Sequence, residues 1–119
     1  MKIAISAQGK DLESLVDPRF GRAAGFIIYD DQTQDFEYVD NQQNLNAPQG
    51  AGIQSAKNVI DAKVDLLISG NVGPKAFAVL KKAQVKIMIG ATGTIKESLQ
   101  KYKDGLLTEA QSANVEGHW

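Results

Sequence analysis

The chain contains no cysteine and only one histidine. Disulfides, thiolate metal ligands and thiol nucleophiles are therefore excluded together. The lone histidine, His118, sits in a polar C-terminal stretch, so a Ser/His/Asp triad has no internal base to draw on. An excess of one charge is also missing. The 13 Lys and Arg residues stand against 14 Asp and Glu, for a net charge of −1, which gives no electrostatic footprint for nucleic acid or an anionic membrane surface. No run approaches the roughly 18 apolar residues of a membrane span. MKIAISAQGK enters a strand pattern directly, with no signal-peptide architecture, so the expected location is the cytoplasm. Any basic site in such a chain must be local.

What remains is an ordinary globular composition, 43% hydrophobic and 23% charged over 119 residues, a length that suits one core. Residues 1–107 read as a single domain. Residues 108–119 form a polar, patternless tail expected to be weakly ordered. Lys2 to Ala7, Gly25 to Asp30 and Asp35 to Asp40 are β-rich runs, the last two joined by the turn Asp31-Gln32-Thr33-Gln34 as a hairpin. Ile53, Ala56, Ile60 and Val64 recur at helical spacing after Gly50-Ala51-Gly52, followed by the buried-strand run Asp65 to Ser69. Pro74 to Ala83 then reads as a helix with proline in its first turn, Val85 to Ile89 as a strand, and Thr94 to Lys103 as a helix. Thr94 and Glu97 have the spacing of a capping box, and Lys101 and Lys103 before Gly105 suit the helix end.

Right-handed crossovers make the strands flanking each helix parallel, and the hairpin makes its own two antiparallel. The expectation is an α/β fold, a five-stranded mixed sheet of order 3-2-1-4-5 with strand 2 antiparallel and helices on its faces. The C-terminal ends of strands 1, 3, 4 and 5 then share one rim, which is where open α/β sheets bind ligands. Onto it fall the loops Gln8 to Ala24, Asn41 to Gly52, Gly70 to Gly73 and Gly90 to Gly93.

The stretch ISGNVGPKAF, Ile68 to Phe77, raises the sharpest question, because it runs from a strand through two glycines into a helix. Glycines there can serve turn geometry alone, or they can let backbone N–H groups approach an anion closely. With Arg19, Arg22 and Lys75 nearby on the rim, the candidate binding residues are Arg19, Arg22, Gly70, Asn71, Val72, Gly73, Lys75, Gly90, Ala91, Thr92 and Gly93. One of the arginines can equally brace its loop through Asp17. Phe20, Phe77 and Met88 are either site wall or core. Neither GNVGPK nor GATGT matches a Walker A or dinucleotide fingerprint. A metal-dependent nuclease would want carboxylates in the first strand, and KIAISA has none. Asp30, Asp31, Asp35, Glu37 and Asp40 spread over the hairpin as a solvated face. No catalytic residues and no protein-derived metal site are expected, His118 being the one fallback ligand.

VDPRFGRAAGFIIYD (Val16 to Asp30), the Asp40-Asn41 pair, Gly50 to Gly52, ISGNVGPKAFAVLKKAQVKI (Ile68 to Ile87) and KYKDGLL (Lys101 to Leu107) together resemble the dinitrogenase iron-molybdenum cofactor biosynthesis family. The resemblance covers nearly the whole chain in order. It implies a ribonuclease-H-like fold without nuclease chemistry, and a carrier of metal-sulfide clusters or their precursors. Members include nitrogenase cofactor carriers and a type that holds a molybdenum-copper sulfide cluster non-covalently, to which a cysteine-free acidic chain is most similar. The cargo implied is such a cluster, a related thiomolybdate or an iron-molybdenum species. A cofactor-free interaction module working with a P-loop ATPase partner is the alternative the resemblance implies.

Overall fold

The structure, a computed structural model, describes residues 1–44 and 50–113. Its elements are β1 (Lys2–Ala7), β2 (Gly25–Asp30), β3 (Phe36–Asp40), α1 (Ala51–Asp61), β4 (Leu66–Ile68), α2 (Pro74–Lys82), β5 (Lys86–Ile89), α3 (Ile95–Lys103) and β6 (Thr108–Glu109). Short 3-10 turns occur at Phe20–Arg22 and Gln42–Asn44. They build one sheet of order β3-β2-β1-β4-β5-β6. β1, β4 and β5 are parallel neighbours, with Ile3 opposite Leu66 and Leu66 opposite Lys86, while β2 runs antiparallel to both β1 and β3. The expected order and the expected contact between the first and fourth strands are both present.

The sheet has six strands rather than five, and the extra one lies in the stretch expected to be weakly ordered. Gly105, at φ 73°, reverses the chain after α3. Its N–H donates to Tyr102 O (3.1 Å) and the Leu106 N–H donates to Lys101 O (2.9 Å), which closes the helix in a Schellman motif. The chain then returns antiparallel along β5, with Thr108 opposite Ile89 and Glu109 opposite Met88. Ala110 donates to Ile87 O (2.8 Å) and is buried. A two-residue polar strand has no alternation to read, and a backbone reversal created it rather than a side-chain pattern.

Strand alternation divides the core into two layers. Ala4, Phe26, Ile28, Leu67 and Ile87 face α1 and α2, meeting Ala56, Val59, Ala76 and Leu80. Ile3, Ile5, Ile27, Leu66, Ile68 and Met88 face α3, meeting Ile95 and Leu99. Phe20 and Met88 are thus core residues, and Phe77 packs partly buried against the first layer. Each fully buried side chain of this size contributes about 1.5–3 kcal/mol. Phe20 ties its loop down, its ring 5.3 Å from that of Phe26.

Native-state hydrogen exchange should show the Ala110 amide protected alongside those of β5. Exchange of Ala110 at the rate of an open chain would show that the sixth strand does not form.

Candidate functional site

The rim is organised by a chain crossing. Asp17 to Ala24 leaves β1 and lies directly over the end of β4, where Asn71 N–H donates to Pro18 O (2.8 Å) and Phe20 N–H donates to Asn71 O (3.2 Å). The result is a one-residue parallel bridge between Arg19 and Asn71. A Cβ on Gly70 would sit 2.8 Å from Pro18 Cα and 2.9 Å from its carbonyl oxygen. Gly70 is therefore bare because another backbone passes against it. The first glycine of GNVG serves internal packing, and the Asn71 N–H is committed to Pro18.

The crossing turn carries both arginines. Arg19 N–H donates to Asp17 Oδ1 (3.0 Å), and the Arg19 guanidinium approaches the same oxygen, Nε to Oδ1 3.7 Å. Asp17 is buried while Arg19 remains about half exposed, so the carboxylate braces the base of the arginine and leaves its head toward solvent. Arg22 lies in the 3-10 turn, half-buried. Ser6 Oγ donates to Asp17 O (2.6 Å) and contacts Ser69 Oγ (2.8 Å), fixing where the turn begins.

Three helix N-termini open on this rim, and they differ. α3 is closed. Its Thr94 N–H donates to Glu97 Oε1 (2.9 Å), Glu97 N–H to Thr94 Oγ1 (3.1 Å), Ile95 N–H to Ser14 O (2.9 Å) and Lys96 N–H to Leu12 O (2.9 Å). α1 and α2 have no side-chain cap, their N-cap residues being Gly50 (φ 79°) and Gly73, with Pro74 opening α2. These two N-termini meet. A Cβ on Gly52 would lie 3.4 Å from Ala76 Cβ, and one on Gly21 would lie 3.2 Å from Gly52 Cα. The arginine turn, α1 and α2 thus converge, with Lys75 exposed in the first turn of α2.

The Gly90 to Gly93 loop is brought beside Gly70, with Gly90 N–H donating to Gly70 O (3.1 Å) and Ala91 N–H to Ser69 O (3.2 Å). Ala91 is buried. Thr92 accepts from Lys101 Nζ at Oγ1 (3.3 Å), and Gly93 O accepts from Val16 N–H (2.9 Å). This loop's donors at Gly90 and Ala91 are therefore spent on the fold. Sequence reasoning left the start of α1 out of the candidate set, although Gly50 to Gly52 signalled it, because nothing local to that tripeptide is charged. Its relevance comes from the Gly21 contact, which joins positions 31 residues apart in the chain, 52 less 21. His118 lies outside the described residues.

Chemically, the arrangement offers positive charge and N–H dipoles and no donor set for a bare metal. Among the described residues no group of three or more His, Asp or Glu is placed to hold a metal ion. A surface groove of about 320 Å³ lies at the opposite end of the sheet, lined by Lys2, Asp30, Thr33, Asp35, Phe36 and Glu37 among others. There Asp30 Oδ1 accepts from Gln32 N–H, and that bond holds its carboxyl below the ordinary range.

The model of the family described as dinitrogenase iron-molybdenum cofactor matches residues 1–105. The chain belongs to this family. It is 40% identical to the orange protein of Desulfovibrio gigas, whose apo form has been solved at high resolution, with a TM-score of 0.92 over 96% of each chain. A putative NifB protein from Thermotoga, solved by NMR, is 38% identical with a TM-score of 0.85 over 98% of each chain. An uncharacterized protein of Methanocaldococcus jannaschii is 29% identical over 109 residues, 90% of this chain and 89% of that one. No helix among the described residues of this family member is long and apolar enough to cross a membrane.

Two outcomes follow from the rim geometry. Gly70→Ala should destabilise the fold by about 1–3 kcal/mol in urea unfolding, because the methyl group must displace the Pro18 backbone. The second outcome concerns pH. The Thr94 backbone N–H, and then its hydroxyl, hold the Glu97 carboxyl below its ordinary range. A depressed folded pKa contributes stability that is present above the unfolded value and lost as pH falls through the folded one. The first turn of α3 should therefore loosen only on acidification below the usual glutamate range. A ¹³C titration of the Glu97 carboxyl checks this, and Thr94→Ala should move its midpoint upward.

Proposed function

We propose that this protein is a cytoplasmic carrier for a sulfide-rich metal anion, held without covalent protein ligands at the rim. The cargo class is a thiomolybdate, a molybdenum-copper sulfide cluster or an iron-molybdenum precursor. The observation that carries the reading is the convergence of two helix N-termini without capping side chains on a turn bearing Arg19 and Arg22. A chain without thiolates suits a cargo that brings its own sulfide, which needs only N–H donors and positive charge. Membership of a family named for a molybdenum cofactor, and likeness to the orange protein, support the same class.

In this reading Arg19, Arg22 and Lys75 supply the charge, Gly73 and the first turns of α1 and α2 supply the dipoles, and Asn71, Val72 and Gly90 to Gly93 shape the flank. Each dipole interaction is worth about 0.3–1 kcal/mol when exposed and up to roughly 2 when partly buried. Several must therefore act together, and binding should weaken with salt. The chemistry is capture and release. Among the described residues the carboxylate of the arginine turn, Asp17, is engaged by Arg19, and the Ser55 hydroxyl at the start of α1 is engaged by Gly21 O and Asn41.

Incubation of apoprotein with tetrathiomolybdate and copper should give a visible charge-transfer band that co-elutes with the protein. Arg19→Ala and Arg22→Ala should each lower affinity on the order of tenfold while leaving the unfolding midpoint nearly unchanged. Gly73→Asp is the sharper variant. A carboxylate at the N-cap of α2 should raise stability by a few tenths to about 1 kcal/mol while suppressing uptake, because it occupies the anion's place. A colourless protein that takes up neither thiomolybdate nor the copper adduct would instead be a cofactor-free interaction module with a P-loop ATPase partner.

A further inference from the structure

We infer that Asn41 and Ser55 are positioning residues for Arg22, acting through the backbone of the turn rather than by touching cargo; the inference rests on the carrier reading of the rim. Both side chains are fully buried. Asn41 Nδ2 donates to Ala23 O (3.0 Å) and to Ser55 Oγ (3.0 Å), and Ser55 Oγ donates to Gly21 O (3.2 Å). The Asn41 backbone N–H donates to Ala24 O (2.9 Å), and Asn58 Nδ2 donates to Asn41 Oδ1 (2.7 Å). The carbonyls on both sides of Arg22, those of Gly21 and Ala23, are thus gripped by side chains rooted at the end of β3 and on α1.

Phe20 anchors the start of the turn in the core, and the grip fixes the backbone that follows it. Gly21 is kept small by the approach of the Gly52 backbone, and the Ala23 methyl group is buried in the core. Arg19 has its own brace in Asp17. A buried network in which every member is hydrogen-bonded rigidifies what it holds. Fixing the turn before cargo arrives removes an ordering cost from binding, which is how a residue remote from the ligand contributes to affinity. The same network fixes α1 relative to the turn, since Ser55 lies one helical turn beyond Ala51 and Gly52.

The test is a double-mutant cycle with tetrathiomolybdate as the probe, comparing Ser55→Ala, Arg22→Ala and the pair. Ser55→Ala should weaken binding roughly five- to tenfold, and in the Arg22→Ala background its effect should shrink below about twofold. Asn41→Leu keeps the approximate volume without adding charge while removing the donors to Ala23 and Ser55, and should behave the same way. In apoprotein carrying Ser55→Ala, the amide signals of Arg22 and Ala23 should broaden by exchange. Independent, additive effects of Ser55 and Arg22, unchanged amide relaxation, or failure of both variants to fold would show that the network is structural only and overturn the inference. Undiminished binding by Arg22→Ala and by Arg19→Ala would overturn the carrier reading itself, and this inference with it.

Discussion

Everything on the rim follows from two backbones passing within van der Waals contact at Pro18 and Gly70. That contact requires the absence of a side chain at Gly70, places Asn71 in register with Arg19, and delivers Phe20 into the core beside Phe26. With Phe20 anchored, the next residues must run across the start of α1, where a second close approach, Gly21 against Gly52, admits no larger side chain without movement. The third, Gly52 against Ala76, brings α2 into the same corner. Gly70 and Gly21 thus answer to chain crowding, whereas Gly50, Gly90 and Gly93 answer to a left-handed backbone.

The parts of the fold that depend on repetition were legible. The β-rich runs Lys2 to Ala7 and Gly25 to Asp30, the Thr94 and Glu97 spacing, and Pro74 at a helix start each declare a local structure by a local rule, and each is present as expected. What was not legible depended on long-range contact. Nothing in GNVG distinguishes a glycine that yields to a ligand from one that yields to Pro18, because the two demand the same residue. The polar segment at Thr108 gives no sign that a Schellman reversal will lay it beside β5. Asn41 and Ser55 look like ordinary polar residues until the fold buries them against the carbonyls of Gly21 and Ala23.

The chain divides its helix ends between two uses. α3 begins with its own carboxylate and with main-chain oxygens of Leu12 and Ser14, so its dipole is spent on holding the long first loop against the sheet. α1 and α2 begin with glycines, which forgo that stabilisation. A protein with a net charge of −1 has little long-range attraction for an anion. In the proposed carrier, attraction for an anion at the corner would have to come from backbone dipoles concentrated by geometry, with Arg19, Arg22 and Lys75 in support.

The bonded arginine turn also has a kinetic meaning. Its backbone is tied to the ends of β1, β3 and β4 and to α1, so among the described residues this segment does not need to open for a guest to enter or leave. A cargo seated there would exchange at a rate set by Coulomb attraction and solvent screening, with no conformational gate on the turn. Hand-off would then be a matter of competition: an acceptor with a denser positive surface, or with thiolates of its own, could draw the anion away without first prompting the donor to change shape.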